Sequence, residues 1–361
     1  MNHSNGVKIL QITSYPPPRA GWGVRVEFLK KRLEAEDHVC TVLNIGRSRT
    51  IPSPEYETVM GGLDYLLKVW RFSRRGFVVH MHVNGEAEVG FILALAAEVI
   101  NLVWGKRCFL TFHAGIDQEY FPRPKSPWLL PMYWVLFGIP RRIICNSNAV
   151  KEKIVEYGVP PEKIVPIPAF STQYIDRVST PLPPAVADFF ARFPKVVLTY
   201  IRIRPGFYLD TMIDGFATVA AADPEAGLAV IGLSGDVNED LLAAFHERIA
   251  GHGLGDRICL IDDLTHDEFL EAVSRSALCL RTPTTDGVSS SVLESLALGV
   301  PVVGSENGSR PAGVITYAAT DASDMAAKTL HVLRSREAVV AAMPRPELRD
   351  TLADEVAVLT S

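Results

Sequence analysis

The sequence has 361 residues, of which 48% are hydrophobic, 21% charged and 9% aromatic, and its formal net charge is −5. This length exceeds what one hydrophobic core usually organises, so two globular domains are predicted. The negative charge argues against a nucleic-acid-binding protein, and no apolar run is long enough to span a bilayer. The polar start MNHSNG is unlike a secretory leader, and five scattered cysteines predict reduced, mostly buried thiols in a cytoplasmic protein.

Short β-branched runs alternate with helix-length segments in the first half of the chain. The predicted strands are Val7–Thr13, His38–Ile45, Phe77–Val83, Arg107–His113 and Arg141–Ser147. Segments such as Arg25–Glu36 and Glu86–Leu102 have the length and pattern of helices between them. This alternation indicates βαβ crossovers and therefore a parallel sheet.

The alternation stops at Ser179–Lys195, a proline-rich stretch without a predicted strand, and then resumes. The second series of predicted strands is Lys195–Ile201, Gly227–Gly232, Arg257–Ile261, Ala277–Leu280 and Val300–Gly304. We therefore predict an α/β protein with two Rossmann-like parallel-sheet domains. The predicted parts are residues 1–172, a linker at 173–194, residues 195–345, and a C-terminal helix in 346–361 that could pack back on the first domain.

The stretch TTDGVSSSVLESLALGVPVV (284–303) carries the strongest chemical signal. Ligands of doubly wound sheets bind beyond the carboxyl ends of the strands, so two such domains predict a site in the cleft between them. A helix beginning near Ser290 would offer free amides to a phosphate, beside the small side chains of Ser289 and Ser291.

Glu294 lies one helical turn after Ser290, on the same predicted face, within a run of Val, Leu and Ala. A buried carboxylate needs a partner, and a ribose diol offers two hydroxyl donors. The alternative is that the serines only cap the helix and Glu294 is solvated.

Asp286 and Glu294 have seven residues between them, followed by SLALGVPVV. This arrangement resembles the signature of family 4 retaining glycosyltransferases of the GT-B fold. The resemblance implies that Asp286, Gly287 and Val288 contact the donor sugar, with Asp286 as a catalytic residue, and that Glu294 binds the ribose. The family usually has Glu where this chain has Asp286.

The resemblance extends to the first domain. ILQITSYPPPRAGWGVRVEFLKKRL is similar to the family's opening strand, glycine loop and helix, which implies donor contacts at Gly21 and Gly23. In that loop, glycines would permit positive φ and close backbone approach to a phosphate or sugar. LTFHAG matches the family's loop beside the sugar and diphosphate, so His113 is a predicted catalytic hydrogen-bond donor.

FVVHMHV resembles another strand of the family, the DVVHxH strand, but lacks the aspartate that begins it. We predict that His80 and His82 in this strand are satisfied interior histidines rather than metal ligands. The segment IICNSNAVKEKIVEYGVPPEKIVPIP also resembles a segment of the family. The resemblance stops at its end, where this chain has PAFST in place of the family's usual NGVD.

In the second domain, TYIRIRPGFYLDTMIDGF resembles the family's segment that neutralises the donor diphosphate. Arg202 matches the family's arginine and is a predicted catalytic residue, with Arg204 as a second ligand. The family's lysine is absent, since Phe207 and Tyr208 occupy its place. GLSGD is similar to the family's loop near the base and phosphates, which implies a donor contact at Gly232.

The implied activity is that of a retaining, hexosyltransferase-type enzyme acting on a nucleotide sugar and a saccharide, lipid-linked or small-molecule hydroxyl acceptor. The family usually needs no metal, and no cofactor or Asp-x-Asp metal motif is expected here. A role in polysaccharide or glycolipid synthesis follows from the resemblance. The alternatives are a nucleotide-sugar epimerase of the same fold and a catalytically impaired accessory protein that binds a nucleotide sugar.

Two segments of the first domain combine aromatic, apolar and basic residues. Tyr65–Phe77 carries Lys68, Arg71, Arg74 and Arg75 beside Leu66, Trp70 and Phe72, and Ser126–Arg142 is aromatic with a basic end. Such segments predict either peripheral contact with an anionic membrane or core helices with solvated basic ends.

Overall fold

The computed structural model describes residues 6–16, 22–85, 88–113, 115, 118–233, 237–284, 289–308 and 310–361. The chain divides into two compact units, residues 1–171 with 350–361 and residues 172–349. Each unit contains a six-stranded sheet in which every strand pairs in parallel with its neighbours. The predicted α/β class with two parallel sheets is therefore confirmed.

The sheet of the first unit has the strand order β2-β1-β3-β4-β5-β6. Its strands are β1 (Lys8–Thr13), β2 (Val39–Asn44), β3 (Val78–Val83), β4 (Phe109–Phe112), β5 (Arg142–Cys145) and β6 (Ile164–Pro166). Its helices are α1 (Trp22–Ala35), α2 (Gly62–Arg74), α3 (Glu88–Val103), α4 (Leu130–Gly138), α5 (Asn148–Val155) and α13 (Thr351–Thr360). The order reverses between β1 and β3, which is where such sheets bind ligands.

The sheet of the second unit has the order β12-β11-β10-β7-β8-β9 and reverses between β7 and β10. Its strands are β7 (Lys195–Tyr200), β8 (Ala226–Ile231), β9 (Ile258–Ile261), β10 (Leu278–Arg281), β11 (Val302–Ser305) and β12 (Val314–Tyr317). Its helices are α6 (Pro184–Arg192), α7 (Leu209–Ala222), α8 (Glu239–Gly251), α9 (His266–Arg275), α10 (Ser290–Ala297), α11 (Ala322–Arg334) and α12 (Arg336–Ala342).

Both faces of each sheet carry a hydrophobic core. In the first unit, α2, α3 and α4 pack on one face through residues such as Tyr65, Phe91 and Phe137. On the other face, α13 joins α1, because Leu352 and Val356 share a cluster with residues of α1 and β4. All five cysteines are free, and four of them are buried.

Helix α13 is held to α1 by a buried ion pair. The Arg25 Nη2 atom lies 2.7 Å from a carboxylate oxygen of Glu355, and both side chains are almost fully buried. A second guanidinium nitrogen of Arg25 donates to the carbonyl of Ala169 and to the Thr351 hydroxyl. The last helix is thus an integral part of the first unit.

The structure differs from the sequence interpretation in the proposed linker. Residues 184–192 form α6, whose Val186, Phe189 and Phe190 are buried in the core of the second unit. The apolar residues of α6 recur on one face, which is typical of a helix that covers a sheet. Pro181 and Pro183 precede the helix and Pro184 begins it, where proline is tolerated, while Pro194 follows its end.

Candidate functional site

The carboxyl end of β7 and that of β10 meet at the reversal point of the second sheet, and residues 202–208 fold across it. The Thr282 hydroxyl donates to the carbonyl of Phe207 at 2.6 Å, and the Tyr208 and Thr284 hydroxyls are 3.1 Å apart. Tyr208 has a positive φ of 48°, an uncommon conformation outside glycine. These contacts fix the loop that carries Arg202 and Arg204.

Arg202 and Arg204 are placed differently, although both lie just after β7. The guanidinium of Arg202 is half-buried and lies 5.2 Å from the ring centre of Tyr200. Arg204 is exposed, 5.3 Å from the ring centre of Phe207. Phe207, which replaces the family's lysine, is buried in the core and offers no charge to a phosphate. Arg202 is the more restrained of the two cations.

Arg281, which the sequence interpretation did not include, is a third cation at this point. It ends β10, is 9% exposed, and donates from Nη1 to the carbonyl of Tyr200 at 2.8 Å. Burial raises the pKa of Tyr200, and both Arg202 and Arg281 act to lower it, so the two guanidiniums lie within electrostatic reach of this ring. A charged residue ending a buried strand was the available signal for Arg281.

Helix α10 begins at Ser290, as the sequence predicted. Ser289 occupies the N-cap position but makes no side-chain cap within the described residues; its hydroxyl lies 3.1 Å from that of Ser291. The interpretation that the serines serve only as caps is therefore not supported. The amides of the first helical turn lack partners inside the helix and point towards its N-terminal end.

Glu294 is 4% exposed, so the alternative in which it is solvated is wrong. Burial raises the pKa of its carboxyl group from the ordinary 4.5 to about 8. Nδ1 of His266 lies 4.0 Å from Oε1 of Glu294, and Nε2 of that histidine contacts the carbonyl of Tyr174. Among the described residues, no cation pairs with this desolvated carboxyl group at a shorter distance.

Two further residues of the second unit complete this edge of the sheet. Gly232 follows β8 with a φ of 101°, and a Cβ atom there would lie 2.4 Å from the carbonyl oxygen of Ile201, so only glycine fits. Arg310, also absent from the sequence interpretation, donates to the carbonyl of Ser305 at 2.8 Å and to that of Pro283. Arg310 thereby ties the end of β11 to the loop after β10.

In the first unit, His113 ends a chain of buried hydrogen bonds. Its backbone amide donates to the carbonyl of Val83, and its Nε2 lies 2.9 Å from Nδ1 of His82. Nε2 of His82 lies 2.8 Å from Oε1 of Gln11. The Trp22 ring packs against His113 with ring centres 4.5 Å apart. The backbone hydrogen bond to Val83, the ring contact with His82 and the packing of Trp22 therefore fix the position of the His113 imidazole.

The histidine chain sets the tautomer of His113. Because the Gln11 oxygen accepts from His82 Nε2, Nδ1 of His82 accepts from Nε2 of His113, and Nδ1 of His113 is left as an acceptor. The predicted donation by His113 requires the other tautomer, which a rotation of the Gln11 amide would produce. Burial lowers the pKa of His82 to about 3 and that of His113 well below the usual range, so both rings are neutral.

The His80 ring packs at a tilt against the His82 ring, with ring centres 4.3 Å apart, and its Nε2 contacts the Thr111 hydroxyl at 2.7 Å. Burial keeps the pKa of His80 well below the usual range. In the described part of the chain, no group of three or more His, Cys, Asp or Glu side chains is arranged to hold a metal ion.

Gly23 differs from its predicted position in a loop. It is the second residue of α1 and is absent from the glycines with positive φ. A Cβ atom on Gly23 would lie 3.0 Å from the carbonyl oxygen of Ser14, so close helix packing explains the glycine. The predicted contacts at Gly21, Asp286, Gly287 and Val288 lie outside the described residues.

The structure thus brings Arg202, Arg204, Gly232, the three serines 289–291 and Glu294 to the carboxyl ends of strands in the second unit. His113 and Gly23 belong to the first unit.

Comparisons with known proteins agree with this arrangement. Residues 18–170 match the family model described as Glycosyltransferase Family 4, and residues 190–336 match Glycosyl transferases group 1. No curated protein matches the chain.

Solved structures share the fold over nearly the whole length. Anabaena HepE in complex with UDP and glucose is 15% identical, with a TM-score of 0.69 over 98% of this chain and 100% of that chain. A sucrose-phosphate synthase from Thermosynechococcus elongatus is 13% identical, with a TM-score of 0.68 over 98% of both chains. A putative UDP-N-acetylglucosamine 2-epimerase from Listeria monocytogenes is 17% identical, with a TM-score of 0.66 over 98% of this chain and 95% of that chain.

The two family models together account for both units, and the neighbours include glycosyltransferases of the GT-B fold. The chain therefore belongs to the family 4-like glycosyltransferases of the GT-B fold.

Proposed function

We propose that this glycosyltransferase moves a hexosyl group from a nucleotide sugar to a hydroxyl, with retention of the anomeric configuration and without a metal ion. The observation that carries the proposal is Glu294, a buried carboxyl group to which the described residues offer no strong cationic partner, one turn into a helix that begins at the reversal point of the second sheet. A ribose diol would supply the two hydroxyl donors that such a group needs.

The diphosphate is proposed to bind the first turn of α10, with its charge neutralised by Arg202. Serines 289–291 leave room for a phosphate and add hydroxyl donors, while the helix amides and dipole favour an anion. Arg281 and Arg310 hold the neighbouring loops through backbone carbonyls and so position this surface. Arg204, which is exposed, is a secondary diphosphate ligand in this proposal.

The proposed reaction breaks the bond between the anomeric carbon and the diphosphate oxygen. The acceptor oxygen forms the new bond on the same face of the sugar, and its proton passes to the departing phosphate oxygen. Arg202 and the α10 N-terminus would stabilise the negative charge that develops on the diphosphate. Asp286, Gly287 and Val288 are proposed to contact the sugar, and His113 to form a hydrogen bond to it or to the leaving group.

The first donor to test is UDP-glucose, since a structure of Anabaena HepE holds this molecule. The acceptor is proposed to be a saccharide, a lipid-linked hydroxyl or a small molecule, in polysaccharide or glycolipid synthesis in the cytoplasm. Within the described ranges, no helix has both the length and the apolarity to cross a bilayer.

Calorimetric titration in EDTA tests the ribose assignment. Glu294→Gln keeps the side-chain volume but loses the charge-assisted acceptor, so UDP should bind about ten- to a hundredfold more weakly, or ~1.5–3 kcal/mol. The matched control is Glu337→Gln, which changes an exposed carboxylate on α12 of the same unit. Wild-type affinity in Glu294→Gln would show that the ribose lies elsewhere.

Asp286→Asn separates the sugar contact from the nucleotide contact. Its proposed partner is the sugar, so this variant should bind UDP like the wild type but bind the intact nucleotide sugar more weakly. Equal losses for UDP and for the nucleotide sugar would contradict the role given to Asp286.

An epimerase is the second candidate, because the fold is shared with UDP-N-acetylglucosamine 2-epimerases. Incubation with UDP-N-acetylglucosamine in the absence of an acceptor distinguishes the two. A nucleotide sugar with changed configuration at C2 would establish the epimerase, whereas transfer to an added hydroxyl acceptor would establish the transferase. Tight nucleotide-sugar binding without either product would identify an accessory protein.

A further inference from the structure

The face of the first sheet that carries α2, α3 and α4 exposes large apolar side chains. These helices pack side by side, because the chain crosses the sheet in the same direction from β2 through β5. Their outer surface presents Leu63, Leu67, Ile92, Val103 and Trp134, and the turn before α4 presents Trp128; each is more than 60% exposed. Contiguous apolar surfaces of this kind mark interaction sites in soluble proteins.

An open groove of about 560 Å³ lies between α2 and α3 within this face. All of its lining side chains are apolar; they include Leu67, Trp70, Leu95 and Val99. Trp70 and Trp104 meet edge to face at the C-terminal ends of the two helices, with ring centres 5.1 Å apart. Both rings are more than one-third exposed.

A basic residue pair lies near the start of each of the three strands that follow these helices. The pairs are Arg74 and Arg75 at the end of α2, Lys106 and Arg107 between α3 and β4, and Arg141 and Arg142 at β5, whose first residue is Arg142. Because β3, β4 and β5 are parallel neighbours, the three pairs lie along one edge of the sheet. We call these six residues the basic edge.

The basic edge is not neutralised within its own unit. In the ranges that the structure covers, none of its six residues forms an ion pair, whereas Lys68 and Arg71 on α2 pair with Asp64 and Glu57. Lys163 lies within electrostatic reach of Arg107 and adds a positive charge to this region. The exposed Glu162, which precedes Lys163 in the chain, adds a negative one. This local positive charge stands out on a chain whose net charge is −5.

We propose that the α2–α4 face binds the surface of an anionic lipid bilayer. The exposed apolar side chains of this face would enter the region between headgroups and acyl chains, where tryptophan rings such as Trp70 and Trp104 are favoured. The basic edge would contact the anionic headgroups. A second copy of the chain is the less suitable occupant, since it would add six more unpaired cations to the same interface. This inference does not depend on the ribose and sugar assignments.

Cosedimentation of the full chain with vesicles tests the proposal. The protein should bind vesicles that contain phosphatidylglycerol, bind phosphatidylcholine vesicles much more weakly, and dissociate progressively as salt is raised. Arg74→Glu/Arg75→Glu and Leu67→Glu/Ile92→Glu should each reduce binding roughly tenfold or more. UDP affinity and the thermal midpoint should stay unchanged in both variants, because these side chains are exposed and outside the candidate site.

The matched controls lie in the second unit. Lys328→Glu/Arg334→Glu reverses two charges on α11, and Val178→Glu changes a side chain that is 72% exposed. Neither control should alter vesicle binding. Absence of binding to anionic vesicles would overturn the proposal, as would equal losses in the control variants. A dimer in light scattering that Leu67→Glu/Ile92→Glu dissociates, without vesicle binding, would assign the face to a second copy instead.

Discussion

Glu355 in the first unit and Glu294 in the second are both buried carboxyl groups, but their surroundings differ. Glu355 lies 2.7 Å from the guanidinium of Arg25, deep between α1 and α13. For Glu294, the ion-pair partner among the described residues is an imidazole at 4.0 Å, and burial raises the pKa of its carboxyl group to about 8. Glu355 joins two helices, whereas Glu294 lies where the strand order of the second sheet reverses.

Burial alone does not identify a binding site, as Glu98 shows. This residue on α3 is fully buried, neither of its carboxyl oxygens has a hydrogen-bond partner among the described residues, and burial raises its pKa well above the ordinary value. However, Glu98 lies in the middle of α3, within the core of the first unit. Position at the carboxyl end of the sheet distinguishes Glu294 from Glu98.

Removing Glu355 should give the largest loss of stability. Glu355→Ala leaves Arg25 buried without its counter-charge, so the free energy of unfolding should fall by about 3–5 kcal/mol in urea denaturation. Glu347→Ala, at an exposed position before α13, is the control and should change it by less than ~0.5 kcal/mol. A small effect of Glu355→Ala would mean that the ion pair does not hold α13 in place.

His113→Ala tests the neutral imidazole of the first unit in the same way as the variants of the buried carboxyl groups. If His113 contacts the transition state, turnover should fall roughly 100-fold while UDP affinity stays nearly intact. His246→Ala, at an exposed position on α8 of the second unit, is the control and should leave both quantities unchanged. Parallel losses of turnover and UDP affinity in His113→Ala would instead indicate a binding role.

The pH dependence of UDP binding tests Glu294 directly. With a pKa of about 8, the free carboxyl group is mostly protonated at pH 7. A ribose diol donates to the carboxylate form, so binding releases a proton and affinity should rise several-fold from about pH 7 to about pH 8.5. In Glu294→Gln this rise should disappear. A wild-type affinity that is flat over this interval would argue against the carboxylate–ribose contact.

Glu98→Leu should have the smallest effect and the opposite sign. Replacing an unsatisfied buried carboxyl group with an apolar side chain should stabilise the protein by about 1 kcal/mol. Burial raises the folded-state pKa of Glu98 above its ordinary value of 4.5. The free energy of unfolding of the wild type is therefore highest, as far as Glu98 is concerned, below pH 4.5, and it falls as the pH rises towards the folded-state pKa. The gain should therefore be larger at pH 8 than at pH 5 in thermal unfolding, and UDP affinity should not change. A loss of UDP affinity would connect Glu98 to the site.

The sequence was sufficient for features that depend on local patterns. The alternation of strands and helices predicted both parallel sheets, and the serine run predicted the start of α10 at Ser290. It missed β6 and β12, which have three and four residues at the edges of their sheets. Both are mostly half-buried edge strands, which carry a weaker hydrophobic signal than strands buried on both faces.

The missed site residues depend on contacts between distant parts of the chain. Arg281 meets the carbonyl of Tyr200 across 81 positions, and His82 meets Gln11 across 71. Which strands become neighbours decides these contacts, and motif spacing carries no information about it. Gly23 shows the same limit: its glycine is explained by packing against Ser14, not by a loop conformation.

The placement of α13 has a consequence for synthesis of the protein on the ribosome. Residues 1–171 emerge first, yet the helix that covers Leu29 and pairs with Arg25 follows the whole of the second unit. At usual elongation rates, the 178 residues from 172 to 349 require roughly 10–40 s. During this interval the nascent first unit exposes the apolar surface of α1 and an uncompensated Arg25, which is the period when chaperones would have a surface to bind.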